Sequence, residues 1–218
     1  MPSFGPFTVF TYDLLVTLMS AGLPAAAAIA LLTVALRIAL LPLTLRQIRA
    51  ERRMNALKPQ LTELATKHRG DPLALHQATL DLYRRENVSP FGGILPVLAQ
   101  APFFAVLYSV FLAPTVGGEA NLLLAADLFG TPLGARGGAA LPVLLGVLVL
   151  IAAVATISAR RTHRQNRALS WLPYLSVAFA AFVPLAAGVY VLVTTAWSAL
   201  ETAVLRRQPA QPVTQPAG

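Results

Sequence analysis

Four long apolar stretches alternate with charged segments along the chain. They run from Leu23 to Leu45, from Phe91 to Ala113, from Leu141 to Ala159 and from Ala168 to Ala199. The first stretch contains a single charged residue, Arg37, and the other three contain none. A helix needs about 20 mostly apolar residues to cross the hydrocarbon core of a bilayer, so each of the first three stretches predicts one membrane span.

The fourth stretch holds 32 uncharged residues, which is too long for one span. It contains Pro184, with Gly188 close behind. Proline removes a helix hydrogen bond and clashes with the preceding turn, which favours two helices joined by a tight turn. The chain is therefore predicted to be an all-α membrane protein, a five-transmembrane-helix bundle. Its predicted spans are residues 22–45, 91–113, 141–159, 168–183 and 184–205.

Residues 46–90 form the one long polar stretch and predict an antiparallel helical hairpin. Gly70 favours the end of a first helix, and Asp71 followed by Pro72 is typical of the start of a second. The first helix carries apolar residues at helical spacing: Met54, Leu57, Leu61 and Leu64. Because this apolar stripe is thin, the hairpin is expected to be mobile.

The remaining segments are short. Residues 1–21 predict an amphipathic helix lying on the outer membrane interface, with a frayed apolar tail as the alternative. Residues 114–140 are predicted to form an extracytoplasmic loop, 160–167 a basic loop and 206–218 a short tail. The apolar face of the N-terminal helix recurs every three to four residues: Phe4, Phe7, Phe10, Leu14 and Leu18.

Composition supports a membrane protein. Hydrophobic residues make up 56% of the chain and charged residues 12%, whereas soluble domains carry about 25% charged residues. The chain has no cysteine, which excludes disulfides, thiolate catalysis and cysteine-ligated metals. The formal net charge of +8 indicates that basic surfaces will seek phosphates of lipid or nucleic acid.

The basic residues set the orientation, because short loops rich in Lys and Arg stay in the cytoplasm. Residues 46–90 contain nine of the 17, the loop 160–167 contains four, and the tail contains Arg206 and Arg207. With five spans, all three segments fall on the same side. The prediction is a cytoplasmic hairpin and C-terminus with the N-terminus outside, which leaves Arg136 outside.

The basic residues of the hairpin have two interpretations. They form a docking arm for a ribosome, a nascent chain or anionic lipid, or they only anchor the adjacent span. Anchoring is favoured for Arg46, Arg49, Arg160 and Arg161, which lie next to spans. Specific nucleic-acid recognition is not expected, since only Tyr83 offers an aromatic ring among these residues. Docking is favoured for residues far from the spans in sequence: Lys67, Arg69, Arg84 and Arg85.

Arg37 is the main functional candidate. It lies eight residues before Leu45, about 12 Å below the end of the span at 1.5 Å per residue. An arginine near mid-bilayer costs about 2.5 to 3.5 kcal/mol, so it should face protein or water. A water-filled cavity is favoured over a buried ion pair with Glu201. Other polar residues in the spans are candidates to line this cavity: Thr33, Gln100, Tyr190, Thr194, Trp197 and Ser198.

Catalysis is not expected from this sequence. No nucleophile motif occurs with a histidine in another span, and no acidic pair could hold a metal or serve as an acid and base. No nucleotide-binding motif is present either. We therefore predict no catalytic residue, no metal and no cofactor.

Two sequence blocks resemble the YidC and Oxa-type membrane protein insertases, in their bacterial five-span form. They are LLTVALRIALLPLTLRQIRAERRMNALKPQL at residues 31–61 and NVSPFGGILPVLAQAPFFAVLYSVF at residues 87–111, and residues 166–207 are similar to the end of that family's core. The resemblance implies a groove holding one arginine, open to cytoplasm and lipid and closed outside. Arg37 corresponds to that arginine.

The resemblance also implies a function. A non-enzymatic insertase and chaperone would move hydrophobic segments of newly synthesised proteins from the cytoplasm into a bacterial plasma membrane. Its partners would be nascent membrane proteins and membrane lipid, with the ribosome and the Sec translocon as further candidates. The alternatives are a small-solute transporter or channel, which would also have a wet cavity, and a structural assembly scaffold.

Overall fold

The computed structural model describes residues 5–89, 95–165 and 167–205, with the backbone alone at 95–100, 139, 163–165 and 168. The predicted roles of Phe4 and of the tail 206–218 lie outside the described residues. The described chain is mainly helical, and its nine α-helices are α1 Gly5–Ser20, α2 Ala25–Ala56, α3 Lys58–Lys67, α4 Pro72–Arg85, α5 Leu95–Leu112, α6 Leu122–Ala125, α7 Leu141–Gln165, α8 Leu175–Phe182 and α9 Leu185–Leu205.

The chain forms two compact units. The large unit comprises the residues up to Ile38 and those from Phe103 onward, and the hairpin unit comprises Ala39–Pro102. Three described helices are long and apolar enough to cross a membrane, within Ala25–Lys67, Leu141–Thr162 and Leu185–Leu205. Two shorter apolar helices are Ala101–Leu112 and Leu172–Phe182. The helical membrane architecture is thus confirmed, while the number of five spans stays a prediction.

The region predicted as a continuous fourth span, residues 168–183, is helical over a shorter length. Residues Arg167–Leu169 and Leu172–Tyr174 form single 3₁₀ turns, and α8 begins only at Leu175. Pro173 favours this late start, because it has no N–H to continue an α-helix that began before it and its ring suits the first turn of a helix. The eight residues of α8 are about 12 Å long at 1.5 Å per residue.

The core of the large unit lies at the start of α9. Every residue from Val183 to Val189 is buried. This run is rich in small side chains, so α7 approaches closely: a Cβ at Gly188 would lie 3.6 Å from Cγ1 of Val147. α7 and α9 form the most extensive helix contact among the described residues. Pro184 therefore does separate α8 from α9, as the sequence predicts, and it lies inside the core.

The loop after α5 is more ordered than its sequence indicates. Two short antiparallel ribbons pair Thr115–Val116 with Glu119–Ala120 and Asp127–Leu128 with Thr131–Pro132. Farther along, the loop supplies acceptors for the first turn of α9, whose amides have no partner within the helix. The Leu185 N–H donates to the Ala135 carbonyl (3.2 Å) and the Ala186 N–H donates to the Leu133 carbonyl (2.8 Å).

Asn121 joins this loop to α5 and α6. Its buried amide Nδ2 donates to the carbonyls of Val110 (2.8 Å) and Ala113 (2.9 Å), which end α5. Its Oδ1 accepts from the Leu123 N–H (3.1 Å) at the start of α6. Tyr12 of α1 adds a second link, since its hydroxyl donates to the Ala120 carbonyl (3.2 Å). The side chain of Asn121 thus provides hydrogen-bond partners for the end of α5 and the start of α6.

The N-terminal segment forms helix α1, as predicted, rather than a frayed tail over the described residues. Tyr12 and Leu15 are buried against the large unit. Phe7 and Phe10, on the predicted apolar face, are each 67% exposed, so that face points away from the protein core. An exposed apolar face suits contact with lipid. Its location on the outer interface stays a prediction.

The hairpin unit contains the predicted pair of helices, α3 and α4, in contact with each other. The Asp71 carboxylate caps α4 by accepting from the N–H groups of Leu73 (3.0 Å) and Ala74 (2.9 Å), and Pro72 follows as predicted. α2 extends past the expected span end and stops one residue before α3, where Pro59 occupies the first turn. Neither α3 nor α4 buries a side chain fully, which agrees with a thin apolar stripe.

Replacing Asn121 by Ala should lower the free energy of unfolding by about 2 to 4 kcal/mol, because two buried carbonyls and one amide lose their partner. Denaturation of the purified protein by SDS titration in neutral detergent measures this change. Asn55→Ala is the matched control, since Asn55 is exposed on α2 and should leave stability nearly unchanged. Equal stability of the two variants would contradict the role given to Asn121.

Replacing Asp71 by Ala should destabilise the first turn of α4 by about 1 kcal/mol, which is the usual effect of losing a helix cap. Hydrogen exchange at the Leu73 and Ala74 amides should then become about fivefold faster. Asp71→Asn keeps an acceptor oxygen at the cap and should exchange like the natural protein. Identical exchange in the Ala variant would show that the cap does not stabilise this helix.

Candidate functional site

Arg37 lies in the apolar part of α2, in the large unit. Its side chain is half-buried. No described residue forms a hydrogen bond or an ion pair with its guanidinium. The five N–H donors of an arginine need acceptors, so this group requires water, lipid phosphate or a bound anion.

Thr33 lies one turn before Arg37 and is 1% exposed. Its hydroxyl donates to the Ile29 carbonyl of the same helix (2.7 Å). The proton of Thr33 is therefore used within the helix, as is common for threonine in membrane helices. Thr33 can still accept a hydrogen bond, but its burial makes it a packing residue below Arg37.

α9 carries a line of polar atoms that have no partner in the described part of the chain. They are Oγ1 of Thr194, Nε1 of Trp197 and Oε1 of Glu201, and all three atoms are buried. The spacing of three and four residues places them on one face of the helix. Ser198, beside them, donates its hydroxyl proton to the Thr194 carbonyl (2.9 Å). Buried polar atoms normally have a hydrogen-bond partner, so this face is suited to bind water or a polar ligand.

Tyr190 begins the same polar stripe but has aromatic neighbours. Its ring centroid lies 6.0 Å from that of Phe104 and 6.1 Å from that of Phe111, both on α5. Phe104 in turn stacks on Tyr108 at 5.6 Å and contacts Phe179 of α8 at 6.3 Å. This cluster was not predicted from the sequence, although its members on α5 recur at helical spacing. The cluster ties α5, α8 and α9 together.

Not all predicted groove residues are brought together. Thr194, Trp197 and Ser198 share one helix face, and Tyr190 precedes them on the same helix. The side chain of Gln100 lies outside the described residues. The described structure contains no ion pair between Arg37 and Glu201, and Oε1 of Glu201 has no partner. The buried-pair alternative is therefore absent from this structure.

Arg161 has a role that the sequence did not reveal. Its Nη1 donates to the Ala199 carbonyl of α9 (2.9 Å), so the end of α7 is bonded to α9. The residue was expected to anchor a span only. An arginine at the end of an apolar helix gives the same sequence pattern whether it anchors the span or bonds a neighbouring helix. Only the position of α9 in the structure distinguishes the two roles.

The predicted docking residues of the hairpin unit are solvent-exposed: Lys67, Arg69, Arg84 and Arg85. Arg84 forms an ion pair with Asp81 at 3.7 Å. Lys67 and Arg85 line a cleft of about 410 Å³ between α3 and α4, together with Glu63 and Asp81. Because the cleft carries both signs of charge, it does not form a uniform anion site. Among the described residues, no group of three or more His, Cys, Asp or Glu could hold a metal ion.

Long apolar helices that contain a charged residue and buried polar atoms define a multi-pass membrane protein with an internal polar site. The family described as 60Kd inner membrane protein matches residues 18–211. The chain therefore belongs to the YidC/Oxa family of membrane protein insertases, which are not enzymes, and it is a multi-pass membrane protein of the inner membrane.

Three relatives illustrate the likeness, and each is described as membrane protein insertase YidC. The protein of Shewanella frigidimarina is 32% identical over 168 residues, covering 76% of this chain and 30% of the relative. That of Clostridium perfringens is 35% identical over 99 residues, covering 45% and 42%. That of Streptomyces avermitilis is 34% identical over 113 residues, covering 48% and 26%. In all three, the matched region spans less than half of the relative's own length.

Proposed function

We propose that this chain inserts hydrophobic segments of newly synthesised membrane proteins from the cytoplasm into the bilayer and assists their folding there. A polar groove centred on Arg37 would receive the polar flank of the segment. The observation that carries this proposal is a half-buried guanidinium in an apolar part of α2 that has no partner among the described residues. Nascent membrane proteins are the substrates, with the ribosome and the Sec translocon as candidate partners.

The α9 stripe supports a hydrated groove. A hydroxyl, an indole N–H and a carboxyl oxygen are buried on one helix face with no partner among the residues that the structure describes. Each one would cost about 1 to 3 kcal/mol if it stayed without a hydrogen bond. Water that satisfies these atoms would also keep an arginine charged. We assign Gln100, Tyr190, Thr194, Trp197 and Ser198 to the lining of this groove, with the buried Thr33 packed beneath Arg37.

The outer surface of α7 supports lipid contact beside the groove. Leu145, Val149 and Leu150 are each at least half exposed, whereas Ile151 and Ala155 are buried against the large unit. A hydrophobic segment that moves along this apolar surface can leave water, and this step needs no energy source such as ATP. The driving force is the transfer of apolar area out of water, about 25 cal/mol per Å².

A small-solute transporter or channel remains the rival function, because it too would use a wet cavity with one arginine. Such proteins usually show inverted repeats and broken helices, and this sequence shows no internal repeat. Solute flux in liposomes without insertion of a test substrate would favour the rival. A purely structural scaffold would tolerate every substitution in the groove.

Substitutions at Arg37 test the proposed mechanism. Arg37→Lys should keep most insertion activity, whereas Arg37→Ala and Arg37→Glu should reduce it at least about tenfold for substrates with acidic tails. Opposite charges about 4 Å apart attract by about 4 kcal/mol at an effective dielectric constant of about 20, and about 1.4 kcal/mol suffices for a tenfold change. Substrates without acidic tails should lose less. Insertion into liposomes, with protein stability measured alongside, gives the comparison.

Glu201→Gln is the control that separates charge in the groove from structural pairing. If Arg37 acted only as the partner of Glu201, both Arg37→Ala and Glu201→Gln would destabilise the fold and impair insertion equally. We expect Glu201→Gln to be stable and nearly fully active. A well-folded Arg37→Ala that inserts every substrate normally would falsify the groove-charge mechanism.

The proposed orientation places the N-terminus outside, residues 46–90 in the cytoplasm and the C-terminus inside. The absence of cysteine makes single-cysteine labelling clean. A cysteine at Thr66, which is exposed on α3, should react only with reagent on the cytoplasmic side. A cysteine at Phe129, which is 89% exposed in the loop after α5, should react only from outside. The reverse pattern would overturn the orientation.

A further inference from the structure

Three arginines near the start of the hairpin unit share one face of α2. Arg46, Arg49 and Arg53 are all exposed. At 3.6 residues per turn, their side chains point within about 60° of one another. Like charges at this spacing repel, by about 0.2 to 0.5 kcal/mol per pair on a helix surface. Such a cluster is stabilised when an anion binds between its members.

A turn at the end of α4 completes a pocket on this face. Asn87 has φ 51°, and its N–H donates to the Arg84 carbonyl (3.2 Å). The Val88 N–H donates to the Tyr83 carbonyl (2.9 Å). This bonding pattern ends a helix and reverses the chain, and asparagine tolerates the left-handed conformation better than most residues. The turn brings the residues after α4 back to α2.

The pocket has a volume of about 300 Å³. The three arginines line it together with Ala50, and the turn contributes Asn87, Val88 and Ser89. No acidic side chain belongs to this described lining, unlike the mixed cleft between α3 and α4. Guanidinium groups bind the oxygen atoms of phosphate in paired hydrogen bonds, and the side-chain amide of Asn87 offers a further polar contact.

The position of the pocket relative to the membrane indicates that a lipid headgroup supplies the phosphate. Leu45 ends the apolar part of α2, so Arg46, Arg49 and Arg53 lie about 1.5, 6 and 12 Å beyond it at 1.5 Å per residue. The headgroup layer is about 5 to 8 Å thick on each side of the hydrocarbon, so the backbone of Arg46 and Arg49 falls within it and that of Arg53 falls just beyond it. In the sequence, Ser89 is followed directly by the predicted span 91–113 after Pro90 alone. The pocket is therefore bounded by the end of one apolar segment and the approach to the next.

We propose that this pocket binds the headgroup phosphate of an anionic phospholipid in the cytoplasmic leaflet. The proposal rests on the proposed cytoplasmic placement of residues 46–90 and not on insertion activity. The bound lipid would fix the base of the hairpin unit at the membrane surface. The three arginines then act as a specific site, beyond a general attraction of basic residues to the membrane.

Lipid binding to the purified full chain tests this site. Short-chain phosphatidylglycerol is titrated in neutral detergent, and bound lipid is measured by native mass spectrometry. Arg49→Gln should weaken binding at least about fivefold, since a basic residue near anionic lipid contributes about this factor. Arg52→Gln is the matched control: it removes the same charge from the same helix, outside the pocket, and should leave binding nearly unchanged.

Several outcomes would overturn the proposal. Equal weakening by Arg49→Gln and Arg52→Gln would mean that charge acts diffusely. Binding of inorganic phosphate or phosphatidylcholine as tight as that of phosphatidylglycerol would mean that the pocket does not select an anionic lipid. An RNA oligonucleotide that binds more tightly than the lipid and depends on Arg49 would assign the pocket to RNA. Cysteine labelling at Thr66 checks the cytoplasmic placement independently.

Discussion

The structure depends most on the buried start of α9. Val183 to Val189 are fully enclosed, and the first amides of the helix donate to carbonyls at Leu133 and Ala135. Pro184 needs no donor partner there, so the turn leaves fewer unsatisfied groups than another residue would. Small side chains let α7 approach closely. This end of the bundle is packed and internally bonded, which suits a closed outer end in the proposed orientation.

The other half of α9 has the opposite character. Beyond Val191 its residues are partly buried or exposed, and the polar atoms at Thr194, Trp197 and Glu201 have no partner in the described part of the chain. The first half of α9 is therefore packed inside the protein, whereas its second half carries buried polar atoms that need water or another hydrogen-bond partner. A groove that opens to the cytoplasm and stops inside the bilayer needs this division. It admits a polar flank part of the way and leaves the outer barrier intact.

Local signals in the sequence predicted much of the fold. The apolar stretches, the cap at Asp71 and the break at Pro184 all act through neighbouring residues, so a single sequence reveals them. The late start of α8 also has a local cause, Pro173, but the hydrophobicity of residues 168–183 by itself predicts a longer helix. The network around Asn121 and the aromatic cluster around Tyr190 depend on residues far apart in the chain, and without coordinates their partners were unknown. The same limit applied to the candidate groove: helical spacing placed several of its proposed residues on one face of α9, but their bonding could not be predicted from the sequence.

The basic residues show why one sequence pattern serves several physical roles. Arginines at the ends of apolar helices satisfy the positive-inside rule wherever they point. In the structure, Arg161 also bonds a carbonyl of α9, while Arg49 lines a pocket with no acidic residue in its described lining. Arg37 has neither kind of protein partner among the described residues. Charge count predicts the orientation of the chain, but the acceptors around each guanidinium determine whether it bonds another helix, as Arg161 does, or is available to the anion and the substrate that we propose.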